Sequence, residues 1–162
     1  MLFRSIEQAF DDPGSTEPVA LSERVEQTMS SFSDQFPDVT FELTRPTDEP
    51  SRVDAPGLIA AVEEAVENAV KHNDSTEPVV EIRIQRRSAD WVDIEIEDNG
   101  PGIPDQELNV LRTGETSLNH ADRLGLWFIY WVVSRVGGTF SVTDAPPRGS
   151  IVTLSVPRHG EL

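Results

Sequence analysis

Apolar residues recur along this chain with helical spacing in three segments, and each segment predicts a helix. Between residues 20 and 36 the apolar positions return about once per helical turn, with Ser22 placed to cap the start. A longer apolar stripe predicts a second helix over residues 58 to 73, whose opposite edge is polar. Residues 126 to 136 are apolar enough for a buried helix, and two glycines follow as its C-terminal signal.

Alternation of apolar and polar residues predicts the strands. It occurs over residues 39 to 43, 80 to 84 and 92 to 96, and again over 140 to 143 and 151 to 156. The last four segments form two neighbouring pairs, which favours two hairpins. The order of elements predicts an α+β fold: a two-layer α/β sandwich in which helices cover one face of a mixed, mostly antiparallel sheet.

Polar segments rich in turn formers divide the chain. Residues 1 to 19 end in a linker-like run and are predicted to be an N-terminal tail. The folded domain is expected to span residues 20 to 157, with 158 to 162 as a C-terminal tail. Residues 99 to 123 are too long and too polar for a simple turn, which indicates a functional loop that we interpret as a lid.

The charge of the chain narrows the choice of partners. Its 162 residues carry 29 Asp and Glu against 13 Lys and Arg, a net charge of -16, which argues against nucleic acid as a partner. Lys71 is the only lysine. This composition is typical of a halophile, whose carboxylate shell stays hydrated while salt screens its self-repulsion. The alternative is an acidic surface that is unrelated to the salt concentration of the organism's environment.

Two absences from the sequence exclude further chemistry and locations. The chain has no cysteine, so disulfides, thiolate metal sites and a cysteine nucleophile are excluded. It has no apolar run of about 18 residues, and its first residues lack the pattern of a signal peptide. We therefore expect a cytoplasmic location and no membrane span in this chain.

One face of the helix predicted over 58 to 73 carries candidate chemistry. Glu64, Asn68 and Lys71 lie at positions i, i+4 and i+7, so their side chains point the same way. Asn68 can offer a neutral oxygen to a divalent cation such as Mg²⁺, which takes most of its ligands from phosphates and water. Glu64 can orient or deprotonate a water or hydroxyl. An ordinary solvated helix face is the alternative for these residues.

A second candidate site follows the strand predicted over 92 to 96. Asp98 and Asn99 come directly before the glycine-rich run that contains Gly100 and Gly102. A carboxylate fixed at a strand end can accept a hydrogen bond from an exocyclic amine, and glycines let a ligand approach the backbone. Together with the polar helix face, this pattern predicts a nucleotide site.

Three segments resemble the ATP-binding domain of histidine kinases. VEEAVENAVKHND, at 62 to 74, is similar to the N box; DNGPGIP, at 98 to 104, to the G1 box; and LGLWFIYWVVSRVGG, at 124 to 138, to the G2 box with its following helix. The resemblance extends over residues 20 to 157. It implies the Bergerat-type ATP-binding fold, shared with gyrase, MutL and the anti-sigma-factor serine kinases, and it implies ATP and Mg as ligands.

The resemblance implies roles for individual residues. Asn68 would coordinate magnesium, and Glu64 would be a general base or a second residue of the metal shell. Asp98 would accept a hydrogen bond from the adenine amino group. The other residues that the resemblance places around ATP are Lys71 and His72 near the phosphates or ribose, Gly100, Gly102 and Ile103 after the G1 aspartate, Thr116 and Arg123 in a lid over 104 to 123, and Leu124, Gly125 and Leu126, whose amides would face phosphates at a helix N-terminus.

The chain departs from the family pattern at two points. Arg123 replaces the first glycine of the usual Gly-x-Gly in the G2 box. This change either strains the backbone by about 1 kcal/mol or more, or provides a bidentate clamp on a triphosphate. In addition, none of His72, His120 and His159 lies on a helix suited to carry a phosphoacceptor histidine. By this resemblance, residues 1 to 19 are at most the end of such a dimerisation helix. The chain alone is therefore expected to bind ATP but not to autophosphorylate.

The sequence thus predicts the ATP-binding catalytic domain of a sensor histidine kinase, of haloarchaeal type. It would transfer the γ-phosphoryl group of ATP to a histidine on a separate segment or partner, with a response regulator downstream. One alternative is an anti-sigma-type serine kinase, whose phosphoserine survives acid. Another is a nucleotide-binding or partner-binding module that has a degenerate lid and no catalytic activity.

Overall fold

The computed structural model describes residues 19–45, 52–53, 57–103 and 121–158, with the backbone alone described at 19, 52 and 121–124. These ranges contain ten elements of regular structure. In chain order they are β1 (Val19–Ala20), α1 (Leu21–Gln35), β2 (Thr40–Thr44), β3 (Arg52–Val53), α2 (Leu58–Lys71), β4 (Val79–Arg86), β5 (Trp91–Asp98), α3 (Ala121–Arg135), β6 (Thr139–Asp144) and β7 (Ser150–Pro157).

Five of the described strands form one sheet in the order β2-β4-β5-β7-β6. β2 runs parallel to β4, with Thr40 opposite Val79, and the other neighbours are antiparallel. β4 and β5 are joined by a turn at 87–90, and β6 and β7 by a turn at 145–149. The predicted mixed, mostly antiparallel sheet and both predicted hairpins are therefore confirmed.

The core lies between the sheet and the helices. Alternate residues of the central strands point toward the helices and are fully buried, among them Ile82, Ile94 and Leu154. Val62 and Val66 of α2 are also fully buried. Each side chain of this size contributes about 1.5–3 kcal/mol when it leaves water. α2 packs beside α3, and the ends of β5 and β7 lie beneath the contact between them.

The opposite face of the sheet is polar around Arg83. Its guanidinium pairs with Glu95 at 2.9 Å, with Glu81 at 3.0 Å and with Glu97 at 3.1 Å. Burial acts to lower the pKa of Arg83, but hydrogen bonds to Glu95 and Glu97 and the charge of Glu81 outweigh it, so the pKa is raised. Arg83 therefore stays charged and holds together three carboxylates from β4 and β5.

The first helix begins differently from the prediction. α1 starts at Leu21, and its N-cap is Ala20, which makes no side-chain capping bond. Ser22 is a buried residue of the first turn, 6% exposed, so the prediction that it caps the helix is wrong. The chain enters the helix directly from the β1–β3 ladder, in which Ala20 lies opposite Arg52. Strands of two residues leave no periodic signal in a sequence, and the ladder was not predicted.

The third helix begins earlier than predicted, at Ala121 instead of 126. The backbone at 121–123 is therefore helical, although the sequence placed it in the lid. The rest of the predicted lid, 104–120, lies outside the described residues, as do the termini 1–18 and 159–162. None of the helices described is both long enough and apolar enough to cross a membrane.

Candidate nucleotide-binding site

A cavity of about 410 Å³ opens between α2, α3 and the ends of β5 and β7. Its volume lies in the range of about 300–1,000 Å³ that is usual for small-molecule sites. Apolar side chains can pack on a flat ring, while a few polar groups can fix the ring's orientation. The apolar lining is Ala65, Ala69, Ile96, Pro101, Ile103, Leu126, Ile129 and Val152, and the remaining lining residues are Asn68, His72, Asp98, Gly102 and Ser150.

Asp98 is the last residue of β5, and both of its carboxylate oxygens are held in place. The backbone N–H of Gly100 donates to Oδ1 at 2.8 Å. The hydroxyl of Ser150 donates a hydrogen bond to Oδ2 at 2.9 Å, and Ser150 is only 2% exposed. A carboxylate oxygen can accept more than one hydrogen bond. The carboxylate is thus oriented by the protein and can still accept a hydrogen bond from a ligand in the cavity.

Gly149 makes the contact between Ser150 and Asp98 possible. Its φ is +116°, and a Cβ at this position would lie 1.8 Å from the backbone oxygen of Asp98. Atoms cannot approach so closely, so any side chain would force the β6–β7 turn away from the end of β5. The absence of a side chain at Gly149 therefore lets the hydroxyl of Ser150 reach the carboxylate.

Asn68 and Glu64 lie on α2 where α3 crosses it. Asn68 lines the cavity, and Glu64, one turn earlier, is 3% exposed. A Cβ on Gly125 of α3 would lie 3.1 Å from Glu64 Oε2 and 3.3 Å from Asn68 Nδ2. The two helices approach closely because residue 125 has no side chain. The structure therefore brings Glu64, Asn68 and Gly125 together.

The other predicted residues lie at the end of α2 and directly after Asp98, and they differ in whether they line the cavity. His72 directly follows the helix and lines the cavity, whereas Lys71 is exposed and is not among the lining residues described. Gly100 is buried behind Asp98, where a Cβ would lie 3.3 Å from the Cα of Asn73. Gly102 has a φ of +90° and lines the cavity beside Ile103. Lys71 and Gly100 are therefore not among the described residues that line the cavity, whereas His72, Gly102 and Ile103 are.

The residues predicted around the phosphates are described only in part. Thr116 lies outside the described residues, and Arg123 and Leu124 are described by their backbone alone. Arg123 lies in helical backbone, and no described residue other than glycine has a positive φ, so the strain considered for this position is not present. The N–H groups left free at the start of α3 precede Leu124. Contact of the Gly125 and Leu126 amides with phosphates stays a prediction.

Sequence reasoning missed Ser150, Ala65 and Ala69 as site residues. The two alanines were counted only as part of the apolar stripe of α2, although their small side chains leave space for the cavity. Ser150 becomes adjacent to Asp98 through the β5–β7 ladder, in which Glu97 lies opposite Ile151. A glycine followed by a hydroxyl residue at the start of a strand was the only signal in the sequence.

Comparison with known proteins identifies the family. Residues 53–160 match the family described as histidine kinase-, DNA gyrase B- and HSP90-like ATPase. The chain belongs to this family. The match covers α2, both hairpins and α3, and therefore every element that contributes to the cavity. The resemblance inferred from the three sequence boxes is confirmed.

This ATPase-family domain is similar in sequence to sensor histidine kinases. It is 30% identical to the sensor-type histidine kinase PrrB of Mycobacterium tuberculosis over 145 residues, which is 86% of this chain and 32% of PrrB. It is 36% identical to the sensor histidine kinase PdtaS of the same organism over 114 residues, 67% of this chain and 21% of PdtaS. The chain thus spans a third or less of these relatives. Both are bacterial, and they do not support the haloarchaeal type.

Solved structures agree with this assignment. The chain superimposes on the mycobacterial sensor histidine kinase MprB with a TM-score of 0.73 and 27% identity, covering 90% of this chain and 99% of that structure. The catalytic domain of the histidine kinase ThkA gives a TM-score of 0.73 at 17% identity, covering 87% of this chain and 94% of that one. The second likeness shows the fold alone, and both confirm the predicted α+β sandwich.

Proposed function

We propose that this domain is the catalytic part of a sensor histidine kinase, and that it transfers the γ-phosphoryl group of ATP to a histidine on a separate segment or partner protein. Membership of the ATPase family and similarity to PrrB and PdtaS support this proposal. The single observation that carries it is the carboxylate of Asp98, fixed by Gly100 and Ser150 at the wall of an apolar cavity.

The fixed carboxylate favours adenine over guanine. The exocyclic amino group of adenine can donate a hydrogen bond to Asp98, while apolar residues such as Ile96, Ile129 and Val152 pack on the ring. A guanine in the same pose would direct a carbonyl oxygen at the carboxylate. Two acceptors that face each other without a proton between them repel, and neither makes the hydrogen bond that it could make with water.

Magnesium fits the donors that the cavity offers. Asn68 provides an amide oxygen, and Glu64 is the second candidate, one turn away on α2. In the described part of the chain no group of three or more His, Asp or Glu residues could hold a metal ion by itself. An ion with few protein ligands, which takes the rest from phosphates and water, is the usual arrangement for Mg²⁺. When bound, Mg²⁺ would neutralise part of the negative charge of the phosphates.

The phosphoacceptor is proposed to lie outside this domain. His72 is taken up in the lining of the cavity, and His120 and His159 are outside the described residues. We infer that this chain needs a histidine-bearing partner, that a response regulator receives the phosphoryl group afterwards, and that the reaction takes place in the cytoplasm, where ATP is available. An acid-labile phosphorylated partner would support this scheme. An acid-stable one would favour the serine kinase, and ATP binding without transfer the non-catalytic module.

The first experiment is calorimetry of Mg-ATP binding to the chain and to two variants. Asp98→Asn replaces one carboxylate oxygen with an amide donor, and we expect it to weaken ATP binding by at least about tenfold. Asp90→Asn makes the same chemical change in the exposed turn at the opposite end of β5 and should bind like the unchanged chain. Equal affinity in all three proteins would contradict the proposed role of Asp98.

The acidic composition motivates a separate proposal of salt dependence. With a net charge of -16, self-repulsion should destabilise the fold in dilute buffer and weaken as salt shortens the screening length to about 3 Å at 1 M. We expect the thermal midpoint to rise steeply between dilute buffer and molar KCl. A midpoint that does not change over this range would remove the halophilic interpretation.

A further inference from the structure

Asn99 follows the base-recognition residue directly, yet its side chain is bound to a different part of the protein. Its Oδ1 accepts hydrogen bonds from Asn73 Nδ2 at 2.8 Å and from the backbone N–H of Val79 at 2.9 Å. Its Nδ2 donates to the backbone oxygen of Glu77 at 2.9 Å and reaches Ser75 Oγ at 3.5 Å. Three of the four hydrogen-bonding positions of the amide are thus directed to the α2–β4 loop, and the fourth to the first residue of β4.

The loop that Asn99 holds begins where α2 ends. Asn73 comes right after His72, which lines the cavity, and Asn73 Oδ1 accepts a further hydrogen bond from the N–H of Ser75 at 3.0 Å. The backbones also meet at this point, because a Cβ on Gly100 would lie 3.3 Å from the Cα of Asn73 and 3.4 Å from the oxygen of His72. The turn after β5 and the end of α2 therefore form one joint.

The two sides of this joint carry opposite ends of the proposed ligand. Asp98, immediately before Asn99, is the proposed contact for the base. Asn68 lies one helical turn before His72 on α2 and is the proposed contact for the metal and phosphates. Because an α-helix moves as a rigid element over a single turn, a shift at His72 displaces Asn68 by a similar amount.

We propose that Asn99 is a positioning residue that sets the spacing between Asp98 and Asn68, and so matches the cavity to a nucleotide with phosphates attached. This inference rests on the proposed function of the cavity as an ATP site. It assigns Asn99 no contact with the nucleotide. Its amide acts through the α2–β4 loop, and its loss should affect ATP more than a ligand that has a base but no phosphates.

The test compares ATP with adenosine as competitors of a fluorescent ADP analogue. For Asn99→Ala we expect ATP affinity to fall by about tenfold or more, and adenosine affinity by no more than about threefold. Asn73→Ala, which removes one of the hydrogen bonds to Asn99, is a milder second variant. It should also lower the affinity for ATP more than the affinity for adenosine. Thr76→Ala is the control, since Thr76 is an exposed residue of the same loop and takes no part in the hydrogen bonds described for Asn99.

A double-mutant cycle separates positioning from a general loss of stability. If Asn99 positions Asn68, the effect of Asn68→Ala on ATP affinity should be several-fold smaller in the Asn99→Ala background. Equal losses of ATP and adenosine affinity, additive effects in the cycle, or unchanged ATP binding in a folded Asn99→Ala variant would each overturn the positioning role. Absence of ATP binding by the unchanged chain would overturn the proposed function and this inference together.

Discussion

The hydroxyl of Ser150 donates a hydrogen bond to Asp98 Oδ2 over 2.9 Å and links the first residue of β7 to the last residue of β5. Ser150 is only 2% exposed and Asp98 is half-buried, so water can replace only part of this bond if the hydroxyl is removed. Leaving a buried carboxylate oxygen without its hydrogen-bond donor costs about 1–3 kcal/mol of stability. The contact therefore stabilises the turn and orients the group proposed to recognise adenine.

Replacement of Ser150 by alanine should weaken ATP binding without unfolding the domain. We expect a fall in affinity of about five- to twentyfold, corresponding to about 1–2 kcal/mol. Calorimetry with Mg-ATP measures the change. Ser141→Ala, an exposed serine on β6, provides the control and should bind normally. Unchanged affinity in Ser150→Ala would show that Asp98 does not depend on this hydroxyl.

Two glycines with positive φ allow steric crowding to be separated from backbone strain. Gly149→Ala would place a Cβ 1.8 Å from the oxygen of Asp98, while Gly137→Ala would meet no atom within 4 Å. Both variants carry the cost of a left-handed backbone, about 1 kcal/mol, but only the first also forces two strands apart. Urea unfolding should show a loss of more than about 3 kcal/mol for Gly149→Ala and about 1 kcal/mol for Gly137→Ala. Similar losses would contradict the close contact at Gly149.

Gly125→Ala tests the approach of α3 to α2. Its Cβ would meet Glu64 Oε2 at 3.1 Å and Asn68 Nδ2 at 3.3 Å, so the helices must separate by a few tenths of an ångström or these side chains must turn. Alanine favours the helix itself by up to about 1 kcal/mol. We therefore expect Mg-ATP affinity to fall while the thermal midpoint changes little. A rise in both quantities would show that the contact has room for a methyl group.

Replacing Arg83 and, separately, Arg45 by glutamine compares how much each arginine's ion pairs contribute to stability. Arg83 holds three carboxylates on the sheet and its side chain is 18% exposed, whereas Arg45 pairs with Glu26 and is 49% exposed. We expect Arg83→Gln to lower the free energy of unfolding by about 1–2 kcal/mol in dilute buffer, and Arg45→Gln by less than about 0.5 kcal/mol. Urea unfolding at low and molar salt measures both losses, and the larger one should shrink as salt screens the carboxylates.

The pH dependence of the Arg83 contribution follows from the direction of its shift. A raised pKa means that the charged form is favoured in the folded state, so the contribution is fully present below the unfolded pKa and is lost only as pH rises through the folded one. The difference between the chain and Arg83→Gln should therefore not change as the pH rises from neutral to moderately alkaline values. A fall over that interval would mean that another group is responsible.

Regular patterns in the sequence predicted most of the fold but only part of the site. The stripe of α2 and the alternation in β4 and β5 are periodic, and both were identified correctly. The β1–β3 ladder has no periodic signal because it depends on pairing with distant residues. The early start of α3 was missed because Asp122 and Arg123 continue the polar composition of the preceding segment.

The site shows the same division between local and distant information. Asp98 and Asn68 are recognisable because their chemistry lies within short motifs of the sequence. Ser150 is close to Asp98 only through pairing of β5 with β7. The hydrogen bonds of Asn99 to Val79 and Asn73 join residues that are 20 and 26 positions apart in the chain. These contacts could be found only once the register of the sheet was known.

The parallel pairing of β2 with β4 has a consequence for the order in which the domain folds. Thr40 pairs with Val79, and all of α2 lies in the intervening loop, whereas β4 and β5 are joined by a turn of four residues, 87–90. Closing the longer loop costs more chain entropy, so β2 should join the sheet after the hairpin has formed. Native-state hydrogen exchange should show earlier opening at the amides of β2 than at those of β5. The edge that is secured last is then the first to be lost when unfolding begins.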